Sequence, residues 1–435
     1  MITRLNSNIR ILFYSFWIVS LFVQAYCTEI TSDEAYYWIY SKQLAFGYFD
    51  HPPIIACIIK LGYALFPNEL GVRLVSVILS TLTVILMEQV IKPKDLKIFF
   101  MLVLSVGILH FMGFFALPDS PFIFAFAAYL LLYKKFTQVQ SLQNSLLLGG
   151  VVAMMCLSKY HGIIIIGLTF LSNLKLLRSK HFWITAMTSI VLLIPHFLWQ
   201  IKAGFPSINY HLFERSTEPY QLNYSTEYLL TQLFILGPFT GVLFLIAAIK
   251  LKAQNQFEKT LKFLFWGGYV FFFLMTFKGS VEGHWTLFIL LPSLYFGYHF
   301  LITLNNGQRI LNYIFPMSLF LIFTSRMLIA VDLKTEDNSL FSELKEPFRN
   351  KDMMLAIKQQ AGDHAVAFMN SYQKASLYSF YTKSEGFSLN NIMGRKNQFD
   401  ILNVEDLYRG EKIMLIPNYD IKEMNCLEGV PNTIR

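Results

Sequence analysis

Apolar residues run along this chain in long blocks, with short polar stretches between them. Runs such as "ILFYSFWIVSLFVQAYC" and "VRLVSVILSTLTVILM" set the pattern. The blocks are about 17–22 residues long, the length a helix needs to cross the hydrocarbon core of a bilayer. In lipid every backbone polar group must be satisfied internally, so repeated blocks of this length predict a helical bundle. About eleven spans follow, near 11–28, 72–91, 97–116, 121–133, 145–158, 161–177, 181–200, 228–249, 261–277, 284–303 and 310–330. The shorter ones imply tilt or protein-lined surroundings. The ten-residue alternation of a membrane barrel is absent. The first block lacks a small-x-small cleavage site and is followed by many more, which fits an uncleaved first helix.

Two stretches depart from this rhythm. Segment 29–71 is too long for a simple connection. Within it, "HPPIIACIIKLGYALF" opens on prolines suited to a helix start and continues at helical spacing, as for a helix lying on the membrane surface. Beyond about residue 331 the chain turns polar, beginning "DLKTEDNSLFSELKEPFRNKD". There "AVAFMN" and "KIMLIP" read as strands and "SYQKASLYSFYT" as a helix. The expected architecture is an α-helical polytopic membrane protein (1–330) with a small outer α/β domain (331–435).

Composition agrees. The chain is 54% hydrophobic and only 15% charged, against about 25% charged for soluble domains. Its net charge of +8 does not indicate nucleic acid, because the basic residues sit at block ends and form no continuous face. With the N-terminus inside, the inner segments carry about twice as many lysines and arginines as the outer ones, which fits the positive-inside rule. The acids Asp33, Glu34, Asp50, Asp119 and Glu282 then fall outside. The four cysteines (Cys27, Cys57, Cys156, Cys426) form no CxxC pair and suggest neither metal nor redox chemistry. A Cys27–Cys57 disulfide is not favoured.

The outer segments hold the candidate chemistry. In "TSDEAYYWIY", Asp33 is either an N-cap or a functional acid, with Glu34 beside it. Tyr37 and Tyr40 would share a helix face with Asp33, as in a sugar site or in an interfacial aromatic belt. "GYFDHPP" places Asp50 and His51 before two prolines, as a rigid turn or as ligand-facing groups. "LPDSP" puts Asp119 in a proline-flanked turn. "LSKYHG" offers Lys159 and Tyr160, the lysine either snorkelling to headgroups or meeting a phosphate. "FKGSVEGHW" supplies Lys278, Glu282 and His284. Glu282 and His284 could contribute two ligands to a divalent metal, too few to define a site. Arg73 and Arg215 are further outer cations. A carboxylate can act as general base toward a hydroxyl, while cations stabilise a departing phosphate.

In order, "DEAYYWIYSKQLAFGYFDHPPIIA", "ELGVRL", "LPDSP", "LSKY" and "GHW" resemble bacterial GT-C glycosyltransferases. The branch is the one related to protein O-mannosyltransferases and the lipid A aminoarabinose transferase. The resemblance covers roughly residues 10–300. It implies a hexosyl- or pentosyltransferase of the inner membrane, with a polyprenyl-phosphate sugar as donor. The acceptor would be a lipid, polysaccharide or protein on the periplasmic face. It implies Asp33 as the base, Glu34 as its motif neighbour, Asp119 as the second acidic position and Lys159 as a candidate for the donor phosphate. His284 stands where many relatives carry asparagine, and that departure leaves its role open. Inversion at the anomeric carbon is expected of the class.

Two other classes compete. A transporter or flippase of a lipid-linked glycan should carry ionisable residues near the bilayer midplane and inverted repeats. Here the acids lie at outer ends and no repeat is evident. A non-catalytic envelope receptor does not account for the ordered outer motifs.

Overall fold

A computed structural model describes residues 2–211, 219–330, 349–389 and 395–417. Several helices begin where capping side chains meet the apolar blocks. The first are α1 (Ile2–Cys27), α2 (Ser32–Lys42), α3 (Ile54–Leu65) and α4 (Glu69–Ile91). There follow α5 (Leu96–Leu104), α6 (Gly107–Met112), α7 (Asp119–Gln138), α8 (Leu142–Ser158) and α9 (Gly162–Ser172). Next come α10 (Lys180–Lys202), the single turn α11 (Pro206–Asn209), α12 (Leu222–Ile235) and α13 (Thr240–Lys250). The series ends with α14 (Gln256–Met275), α15 (Leu290–Thr303) and α16 (Gly307–Ala330). Asn68, Asp95, Ser141, Ser179 and Asn255 each accept a backbone N–H at the start of a helix, which satisfies donors that have no intrahelical partner.

Two expected spans are broken. The block 97–116 divides at Ser105–Val106 between α5 and α6. The block 228–249 divides at Gly237–Pro238, where Gly237 has φ 96 and Pro238 has no N–H to give. The segment 161–177 is α-helical only to Ser172 and continues as a 3-10 turn over Leu174–Arg178. Among the described residues, five helical stretches are long and apolar enough to cross a bilayer: Asn6–Cys27, Glu69–Ile91, Lys180–Lys202, Gly283–Thr303 and Gly307–Ala330. Several shorter helices are equally apolar. Large side chains such as Phe197, Leu198, Phe320 and Phe323 point out of the bundle. Lipid tolerates such a surface and water does not. The chain is a multi-pass membrane protein.

By compactness the chain divides into two units, Met1–Thr28 with Ser41–Thr335, and Glu29–Tyr40 with Glu336–Arg435. In the first, α4 packs on α1, α3 and α7, and α8 packs on α7 and α10. The α3–α4 corner is tight, because a Cβ on Gly71 would lie 1.7 Å from the Phe66 carbonyl oxygen. The second unit holds a parallel three-stranded sheet in the order β2-β1-β3, from β1 (Ala365–Met369), β2 (Gly386–Leu389) and β3 (Ile413–Ile416). It also contains α17 (Lys351–Ala361), α18 (Tyr372–Thr382) and the short α19 (Gln398–Leu402). Strands β1 and β3 and helix α18 lie where the sequence pattern placed them. Strand β2 ("GFSL") has too little β-branched character to announce itself.

Candidate active site

In the larger unit the site grows from two helix ends. Pro118 precedes α7, so the helix opens on Asp119, a carboxylate where the helix dipole favours negative charge. Lys159 closes α8, a cation where the dipole favours positive charge. The two meet: Lys159 Nζ lies 2.7 and 2.9 Å from the Asp119 oxygens. Both residues are buried, at 4% and 3% exposure. This corrects the snorkelling reading of Lys159, since its ammonium is withdrawn from headgroups and neutralised by Asp119.

Around this pair stands a set of imidazoles. His161, at the N-terminus of α9, stacks on Phe272 at 5.4 Å and meets Trp285 at 5.7 Å. Lys159, His51, His211 and His284 all lie close enough to act on the His161 ring electrostatically. Lys278 and Glu282 are exposed. Among the described residues no group of three His, Cys, Asp or Glu converges as metal ligands.

The loop 46–51 is held by a relay. The Gln200 amide donates to the Tyr160 hydroxyl (2.9 Å), which lies 3.3 Å from His196 Nε2. His196 Nδ1 is 2.7 Å from the Phe46 carbonyl. A carbonyl only accepts, so Nδ1 carries the proton and Nε2 accepts from Tyr160. Gln200 also donates to Ser207 Oγ (2.8 Å), and Ser207 donates to the Tyr48 carbonyl (3.0 Å). His211 Nε2 donates to the Asp50 carbonyl (3.0 Å). The loop lies so close to α10 that a Cβ on Gly47 would fall 2.3 Å from the Trp199 ring. Sequence reading missed His196, Gln200, Ser207 and His211. Their one local signal is a pair of polar residues, 196 and 200, four apart on an apolar helix.

Arg73 is fully buried, and its guanidinium donates to the Ala25 (3.1 Å) and Thr28 (2.6 Å) carbonyls at the end of α1. Phe114 and Phe115 lie 5.7 Å from it. It closes a helix C-terminus, where orphan carbonyls and the dipole favour a cation. Arg215 lies outside the described residues.

In the smaller unit, α2 does not use Asp33 as its N-cap. Thr31 is the cap: its Oγ1 accepts from the Glu34 N–H (3.3 Å), while the Glu34 carboxylate accepts from the Thr31 N–H (3.1 Å). This is a capping box, and it engages the buried Glu34 structurally. Asp33 is exposed in the first turn, 3.5 Å from the Gln373 amide. Behind it lie buried tyrosines: Tyr37 meets Tyr40 at 5.6 Å, and Tyr36 meets Tyr372 at 4.4 Å. The Tyr36 hydroxyl accepts from the Gln398 N–H (2.8 Å). Burial raises the Tyr36 and Tyr40 phenols above their ordinary value, so both stay neutral. Each unit thus carries polar groups on an aromatic floor, with a carboxylate exposed in one and a lysine among imidazoles in the other.

Residues 50–199 match the family described as dolichyl-phosphate-mannose-protein mannosyltransferase. The fold matches that of ArnT from Cupriavidus metallidurans. The apo structure shares 14% identity at TM-score 0.67, covering 96% of this chain and 90% of that one. The structure bound to undecaprenyl phosphate shares 14% at 0.68, covering 97% and 91%. The archaeal oligosaccharyltransferase AglB from Archaeoglobus fulgidus is a more remote match, with 9% identity, TM-score 0.49 and coverage of 87% and 64%. No curated protein matches at the sequence level.

Proposed function

From its GT-C glycosyltransferase fold, we infer that this membrane protein moves a sugar from a polyprenyl-phosphate donor to an envelope acceptor on the periplasmic face. The mannosyltransferase match over residues 50–199 carries the reading, because that stretch contains Asp119, Lys159 and Tyr160. The ArnT structure with undecaprenyl phosphate supports the donor class.

In this reading the Asp33 carboxylate takes the proton of an acceptor hydroxyl. The freed oxygen attacks the anomeric carbon, and the bond from that carbon to the phosphate oxygen breaks. The electron pair leaves with the polyprenyl phosphate. Within the larger unit, Lys159 is the candidate cation for a donor phosphate. Configuration inverts, and no second carboxylate is needed for a covalent intermediate. Asp119 holds Lys159 in place. Glu34, by its capping role, sets the first turn that carries Asp33.

The test is Asp33→Asn in cells. Asp33 is exposed, so the variant should reach normal membrane levels. The envelope modification, read by mass spectrometry of glycolipids and glycoproteins, should fall at least about 100-fold, as when a general base is removed. Unchanged modification would overturn the assignment of Asp33.

A further inference from the structure

We propose that the membrane face rich in lysine and arginine carries a binding site for the phosphate of an anionic lipid headgroup, between α1, α4 and α7. This proposal is independent of the transfer reaction. A cavity of about 450 Å³ opens there, lined by Arg10, Glu88, Lys92, Pro93, Leu131 and Lys135 among others. Pockets of a few hundred Å³ suit a small ligand or headgroup.

The charges of the cavity do not cancel. Glu88 is the one acid among its described lining residues, and it is already engaged. One of its oxygens pairs with Arg10 Nε at 2.6 Å, and the other accepts from the Tyr14 hydroxyl at 2.7 Å. The structure gives Lys92 and Lys135 no anionic partner among the described residues. The neighbouring Lys134 is turned away, donating to the Val90 carbonyl at 2.6 Å and lying over Phe257 and Tyr295. Two lysines from two helices therefore converge on one cavity with an excess positive charge. Basic pockets between transmembrane helices recognise phosphate headgroups in this way.

The surroundings favour a lipid over a soluble anion. Beside Arg10, helix α1 exposes Ile11 (63%), Leu12 (74%) and Phe16 (56%). A headgroup in the cavity would lay its acyl chains along that apolar face. A soluble phosphate would gain nothing from it.

The experiment is native mass spectrometry of the full chain, released from nanodiscs of phosphatidylcholine containing phosphatidylglycerol. The expected result is retained phosphatidylglycerol in preference to phosphatidylcholine. Retention should weaken about fivefold in Lys92→Gln or Lys135→Gln, and on the order of 30-fold in the double variant. Both lysines are exposed, and each single variant tests the site should the double variant lose its fold. Lys97→Gln, an exposed lysine outside the cavity, should retain lipid as the parent does. Equal retention in the double variant would overturn the site. An equal loss in Lys97→Gln would mean diffuse surface charge, and the proposal fails. Displacement of the lipid by inorganic phosphate at equal concentration would identify a soluble-anion site, which also overturns it.

Discussion

Asp119 and Lys159 sit where neither can fall back on water, so their fates are coupled. Removing one partner leaves a buried charge uncompensated, at a cost of about 3–5 kcal/mol. Lys159→Ala should therefore lower the thermal transition of the detergent-solubilised protein steeply. Pairing Asp119→Asn with Lys159→Met removes both charges, and such neutral replacements are often close to isoenergetic. That double variant should recover much of the stability and none of the transfer. If it regained transfer, the lysine would have no part in receiving the phosphate. The sequence showed both residues and their outer turns. It did not show that each was the other's partner, because they are separated along the chain and meet only through the packing of α7 on α8. The same holds for Thr31. "TSDE" contains a capping box, yet Asp33 was the more conspicuous residue for the role.

At the scale of elements, close backbone approach divides the glycines into two kinds. Gly71 faces the Phe66 and Gly62 carbonyls across the α3–α4 corner, and a Cβ there would lie 1.7 and 2.9 Å from their oxygens. Gly150 in α8 has nothing within 4 Å of a built Cβ. Gly71→Ala should destabilise by more than about 2 kcal/mol, as overpacking against immovable backbone does. Gly150→Ala should stabilise by roughly 0.5–1 kcal/mol through helix propensity. Thermal unfolding of the two variants checks both signs, and a neutral Gly71→Ala would contradict the close approach. Helix positions were largely legible because the lipid-crossing pattern is local. The breaks at Ser105 and Gly237–Pro238 do not show in the hydrophobic pattern, although the glycine–proline step carries its own signal.

At the scale of the whole molecule, the N-terminal part of α2 belongs with residues far along the chain. The Glu29 carboxylate accepts from the Asn350 (2.8 Å) and Lys351 (3.1 Å) N–H groups, and the Tyr381 hydroxyl accepts from the Ile30 N–H (3.0 Å). Trp38 meets Phe380 edge-on at 5.2 Å. A chain ending at residue 335 would strip these partners from α2 and expose its aromatic side. Such a truncation should lose transfer and accumulate at lower membrane levels. Full transfer by the truncated chain, measured on the same envelope products, would show that Asp33 does not depend on this unit.

The sequence alone determined that the chain is a helical membrane protein with a small α/β unit after it. It also determined where most helices run. These features are written in the length and period of local hydrophobic runs, which lipid and backbone hydrogen bonding read directly. Only the tertiary structure decided that Lys159 is neutralised by Asp119 and that Arg73 closes α1. It alone showed that His196, Gln200, Ser207 and His211 hold loop 46–51, and that residues 29–40 pack with the C-terminal unit. Each of these joins groups distant in sequence. Burial makes such partners obligatory, because an unpaired polar group in a low-dielectric interior costs too much to persist, but only the packed chain reveals which partner is in reach.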